Sequence, residues 1–290
     1  MQGSRLFLTS VLAALVLLTE PAMAEPSGAP RGAIVPPPAR EYEPSDLPDQ
    51  EPPELEDAEL EDVEAELGEA APGADTADGV TIGNAPATRY GRMSARTCLA
   101  EARKRKLPVV ALGQVRGVPI PVRISGPMHG VRVHSGVPKS QWASSPYEIV
   151  DCRLALAIDD FTALLQQHDV VELVHMSAYR PPSKRWPAGT PGKRHGAAMA
   201  LDAAVFVKKD GVRLVVEKHF KGHRHSAPCP RVVPARASHQ SSEAKEIRSI
   251  FCEARETGLF HVMLGPNFNR AHRNHFHLEV AAHPRWFYVR

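Results

Sequence analysis

Three histidines, His272, His275 and His277, fall within six residues of the segment NRAHRNHFHLEV. Imidazoles at that density suit a metal site, a catalytic pair or a polar strand edge. On an extended strand alternate side chains share a face, so His275 and His277 point one way and Phe276 the other. Their Cβ atoms then stand about 7 Å apart, which lets one ring ligate an ion while the other handles its water or substrate.

A second pair, His195 and Asp202, lies in RHGAAMALDAA. On a plain helix seven residues would separate them by two turns, about 10 Å, too far to share one ion. Gly196 and the small alanines let the chain fold back instead, so that a loop histidine meets a strand aspartate. Two neutral nitrogens and one carboxylate leave a zinc position open for water, the arrangement of catalytic rather than structural zinc. Such an ion brings the pKa of its water near neutrality and polarises a carbonyl. H-x6-D and HxH are each weak signals alone. Together, with Arg180 upstream in SAYRPP, they form a constellation.

Other chemistry-bearing residues have blander readings. His219, His223 and His225 in HFKGHRH fit a solvated basic loop better than a second metal site. His175 alternates with Val174 and Met176, so it either faces the site or packs within a sheet. Trp186 either stacks on a sugar ring or pins its own loop. Ser177 and Ser183 lack the elbow pattern of a serine hydrolase.

These residues need elements to hold them. CRLALAIDDFTALLQQHD (152–169) spaces Leu154, Leu156, Ile158, Phe161, Leu164 and Leu165 as a helix does. VVELVHMSAY (170–179) reads as a strand and is followed by a Pro, Gly, Lys and Arg loop up to Arg194. ALDAAVFV and VRLVVEKHF flank KKDG, which predicts a hairpin. Residues 241–258 have a Ser cap, helical periodicity and a terminal Gly. LFHVMLG and HFHLEVAA make a last strand pair. The expectation is an α+β domain with a mainly antiparallel central sheet flanked by helices.

The chain ends bound its setting. Arg5, the apolar run Leu6 to Leu18 and Ala22-Met23-Ala24 predict a secretory signal peptide over residues 1–24. The run is shorter than the roughly 20 apolar residues of a membrane span, and no later segment is apolar enough, so no transmembrane segment is expected in the mature chain. Residues 25–88 are rich in Pro, Glu, Asp and Ala and almost free of aromatics, which predicts a disordered tether. Residues 41–69 carry 14 Asp or Glu and no Lys or Arg, whereas residues 70–290 carry 32 Lys plus Arg against 17 Asp plus Glu, a formal +15. A basic domain favours polyanions, and export directs that preference to an anionic envelope polymer. Export and the absence of interleaved aromatics argue against nucleic acid. Residues 89–290 suffice for one domain with a real core. Four cysteines in an exported domain predict two disulfides, with three connectivities open. Cys98–Cys152 and Cys229–Cys252 are preferred because each pair brackets one region.

SAYRPP, RHGAAMALDAAVF and LGPNFNRAHRNHFHLEV together resemble the extensin-like C-terminal family over roughly residues 90–290. That family is similar to the zinc peptidases that include D-Ala-D-Ala carboxypeptidases and lysostaphin-type endopeptidases, and to the hedgehog signalling domain, whose fold is therefore expected. The resemblance implies that His195, Asp202 and His277 ligate zinc and that His275 is the active-site histidine. By the same likeness Arg180 would hold a substrate carboxylate or developing oxyanion. The carboxypeptidase branch has a catalytic Glu three residues before its last ligand, where this chain has Asn274. An amide cannot accept a proton, so the base would be His275 with help from His272, and Asn274 would orient water or substrate. The expectation is a secreted or periplasmic zinc peptidase acting on peptidoglycan stems or cross-links. The rival expectation is a non-catalytic zinc-containing module that binds the cell envelope.

Overall fold

A strand of nine residues, Ala200–Lys208, organises the sheet that carries Asp202. The structure is a computed structural model describing residues 76–77, 80–223, 226–229, 240–284 and 286–290, all within the compact unit Glu41–Arg290. The expected signal peptide and residues 25–75 and 78–79 of the expected tether lie outside the described residues. Residues 85–88, assigned from sequence to the tether, are packed instead: Ala85, Ala87 and Thr88 are buried. Pro86 opens a short helix there, as proline does well at a first helical position.

In chain order the strands are β1 Thr76–Ala77, β2 Val80–Thr81, β3 Val109–Ala111, β4 Pro121–Ile124, β5 Arg132–Ser135 and β6 Ile149–Asp151. They continue as β7 Val170–His175, β8 Ala200–Lys208, β9 Arg213–Val215, β10 Val262–Leu264, β11 Phe276–Glu279 and β12 Tyr288–Val289. The helices are α1 Pro86–Gly91, α2 Ala95–Lys104, α3 Cys152–Gln167, α4 Val216–His219 and α5 Ser242–Glu256. Among the described residues the main sheet runs β12-β10-β11-β8-β7-β5, with β9 also paired to β8. Pairings around β8 and between β10 and β11 are antiparallel, while the outer pairs β12–β10 and β7–β5 are parallel. A smaller antiparallel sheet is β3-β4-β6. The architecture is α+β with open sheets.

Helices α3 and α5 match the sequence expectation. Asp151 caps α3 by accepting from Arg153 N–H, and Ser241 caps α5 by accepting from Ala244 N–H. Nearly every side chain of α3 from Cys152 to Leu165 is buried, because sheet, α1, α2 and α5 surround it. The predicted hairpin forms, but its second strand stops at Val215 and Val216–His219 turn helical. The His219 ring accepts the Val215 N–H at 2.9 Å across that turn. β5, α2 and the small sheet had no clear period in the sequence and emerge only in the fold.

Phe276 packs against Phe206, Phe220 and Phe251 at ring separations of 6.0, 5.0 and 4.7 Å. That cluster joins the core beneath the sheet, together with Leu201, Ala203 and Leu278. Asp202, His277 and Glu279 therefore face the opposite side by strand alternation. Val174 pairs with Val205 but His175 pairs with Ala203, so Ala204 is an extra residue on β8. This bulge switches the alternation, allowing Phe206 and Leu201 to face the same core while Asp202 points away from it. Two disulfides staple the fold, Cys98–Cys152 and Cys229–Cys252, as preferred from sequence.

Candidate metal centre

β11 and β8 bring the two motifs together directly: His277 stands opposite Asp202 in the antiparallel register. His195 arrives from a single helical turn, Arg194–Ala197, whose ends are held by left-handed residues, Arg194 at φ 44° and Ala198 at φ 53°. These conformations cost energy for residues with a Cβ and are kept where the surroundings fix them. Here Arg180 N–H donates to His195 O at 3.1 Å and Met199 N–H to Arg194 O at 2.9 Å. The loop from Arg180 to Arg194 thus closes at the site itself.

His195 Nε2 lies 3.0 Å from Asp202 Oδ1, His277 Nδ1 lies 3.3 Å from the same oxygen, and the two nitrogens are 3.3 Å apart. His275 Nε2 is 3.4 Å from that oxygen as well. All four residues are at most 3% exposed. His275 and His277 thus converge on one site while Phe276 enters the core.

The partners behind each ring fix the tautomers. His195 Nδ1–H donates to Ala178 O at 3.2 Å, and His275 Nδ1–H donates to Asn274 Oδ1 at 2.8 Å. His277 Nε2–H donates to Glu279 Oε2 at 3.5 Å. Neutral rings so held turn three lone pairs toward one carboxylate oxygen. Only protons or a cation satisfies that arrangement, and His195, Asp202 and His277 offer one donor atom each within 4.8 Å of one another. Two imidazoles and a carboxylate match the donor chemistry of zinc. The residues fit the ion.

The electrostatics say the same. Burial works to raise the Asp202 pKa, but His195, Arg180 and His275 hold it well below the usual carboxylate range. Burial also works to depress His277, yet Asp202 and Glu279 carry it up to about 9.

Arg180 reaches the same carboxylate: its Nη2 donates to Asp202 Oδ2, and its Nε donates to Ser177 Oγ at 2.9 Å. Ser177 Oγ in turn donates to Asp202 Oδ2 at 2.9 Å. Asn274 is spent on orienting the His275 ring. His272 is fully buried, its ring 5.2 Å from that of His275 and 5.7 Å from that of His277. Its Nδ1–H donates to Asn269 Oδ1 at 2.6 Å, and its Nε2 has no hydrogen-bond partner among the described residues. Burial and the neighbouring His275 and His277 hold the His272 pKa well below that of a free imidazole.

Other singled-out residues lie elsewhere. His175 ends β7 and pairs with Glu148, which closes the helical turn Pro146–Glu148, at 3.6 Å. His223 is exposed, and His225 lies outside the described residues. Trp186 donates from Nε1 to Thr190 O at 3.2 Å, pinning its own loop. Sequence reasoning missed Ser177, Glu279 and Arg194 as supports of the site. Strand parity alone could have found Glu279, two residues beyond His277.

No curated protein and no solved structure matches the chain. A family model described as extensin-like protein C-terminus matches residues 115–290, which span His195, Asp202, His275, His277 and both strands that carry the site. The chain belongs to the extensin-like C-terminal family.

Proposed function

We propose that the protein is an exported zinc-dependent peptidase that hydrolyses peptide bonds in peptidoglycan stems or cross-links. The observation carrying this reading is the convergence of three imidazole lone pairs and one carboxylate oxygen at a single point. The likeness of H-x6-D and HxH to the zinc peptidases, and to their hedgehog-like fold, supports the same reading. When bound by His195, Asp202 and His277, zinc supplies Lewis acidity and makes water a nucleophile at neutral pH.

The chain's own residues do the rest. Asn274 holds the His275 ring by Nδ1, so Nε2 faces the site as the proton acceptor for attacking water. The same nitrogen then returns the proton to the leaving amine. His272, held neutral with its Nε2 lone pair unengaged by a donor, would assist that transfer. Arg180 remains about one-fifth exposed beside Asp202 and would hold a substrate carboxylate or the developing oxyanion. The loop above it carries Lys184, Arg185 and Lys193, all exposed, and no acid between 180 and 194, which suits an anionic wall polymer.

His275→Ala tests the division of labour. The expected variant keeps zinc but releases soluble muropeptides from purified sacculi at least 100-fold more slowly, the usual scale of lost acid–base catalysis. Unchanged turnover would remove His275 from the chemistry. The near-complete burial of the ligands and Asn274 at the Glu position favour a second reading, a zinc-pinned envelope-binding module. That module would bind sacculi with zinc at full occupancy and cleave nothing.

A further inference from the structure

Two buried charges beside the centre, Glu279 and Arg194, belong neither to the ligand set nor to the proton transfer. Glu279 ends β11 two residues after His277 and shares its face. Its Oε2 lies 3.5 Å from His277 Nε2 and 3.7 Å from Arg194 Nε. Arg194 immediately precedes His195 and adopts a left-handed backbone, φ 44°. Glu279 is 6% exposed and Arg194 5%. A carboxylate is expensive to bury unless it is paired, and here its partners are one ligand and the neighbour of another.

We propose that Glu279 is a positioning residue of the metal centre: it takes the Nε2 proton of His277, so the Nδ1 lone pair faces His195 and Asp202, while Arg194 ties this carboxylate to the turn bearing His195. The inference rests on His195, Asp202 and His277 being metal ligands. One carboxylate thereby couples the strand ligand to the loop ligand. Without it the His277 ring is free to take its proton on Nδ1, the atom the ion needs. Carboxylates placed behind a ligating histidine in this way change metal affinity by about 10- to 100-fold.

The test uses the full chain and zinc itself. Zinc affinity is measured by competition with a chromophoric chelator for the unmodified protein, Glu279→Gln and Glu279→Ala. Gln keeps an acceptor of the same shape without the charge, so a loss of about 10-fold is expected, rising toward 100-fold for Ala. Long-range proton–nitrogen spectra of the zinc-loaded proteins supply a readout that a merely structural carboxylate would not move. The unmodified protein should carry the His277 proton on Nε2 in slow exchange, and Glu279→Ala should lose that signature. A structural carboxylate would instead lower only the thermal midpoint of chelator-stripped protein and leave all three zinc affinities equal, overturning the proposal. If Glu279→Ala does not fold, Glu279→Gln decides by the same criterion. An unmodified protein that takes up no zinc would refute the ligand assignment itself, whereas zinc uptake with unchanged variants would refute only the role of Glu279.

Discussion

Single residues show how burial sets protonation in this protein. His261 has no exposed surface; its Nε2–H donates to Thr88 Oγ1 at 3.2 Å and its Nδ1 accepts the Ala281 N–H at 3.0 Å. Protonation would set two donors against each other at Nδ1, and burial already pushes the pKa down to about 4. The unfolded chain binds that proton near pH 6.5 and the folded chain does not. The His261 contribution to stability is therefore flat above pH 6.5 and is lost as pH drops from 6.5 toward 4, on the order of 3 kcal/mol. Denaturant midpoints of chelator-stripped protein should fall below pH 6.5, and His261→Gln should make that fall shallower, leaving the part due to His272; an equal slope in the variant would contradict the assignment. At this scale the convergence of His195, Asp202 and His277 was legible because H-x6-D and HxH are patterns of residue type. The contacts of Ser177 and Glu279 were not, because only the folded strands place a serine beside Asp202 and a glutamate beside His277.

At the scale of elements, the site depends on a loop that leaves the sheet at Arg180 and returns at His195. The turn at Arg116–Gly117 grips that loop: Gly192 N–H donates to Gly117 O at 2.7 Å, and Arg116 donates to Ser183 O and Lys184 O. A Cβ on Gly192 would lie 2.3 Å from the backbone carbonyl of Gly196, so the turn holding His195 would have to move. Gly192→Ala should destabilise by about 1–3 kcal/mol, the cost of overpacking, and weaken zinc binding as well. Gly113→Ala, which meets nothing within 4 Å, should leave both unchanged. Calorimetry and a zinc titration on the pair check this, and equal behaviour would show that the loop is not coupled to the site. The helices α3 and α5 and the last strand pair were readable because their apolar periods are long and capped. The bulge at Ala204, the parallel edge strand β12 and the small sheet depend on pairing with distant segments, which local periodicity does not encode.

The whole molecule combines a stapled basic domain with a candidate metal centre. Two disulfides fit an oxidising setting, and no described helix is long and apolar enough to cross a membrane. A basic domain follows an acidic segment in the sequence, a charge balance on which the proposed attraction to an anionic polymer would draw. The proposed activity stands on the ion and its ligands together. The most direct measurement is zinc stoichiometry combined with muropeptide analysis of sacculi digested by the protein and by His277→Ala. The account predicts one zinc per chain and new soluble muropeptides for the unmodified protein, with both lost in His277→Ala. A metal-free protein, or full zinc occupancy with sacculi left intact, would contradict it.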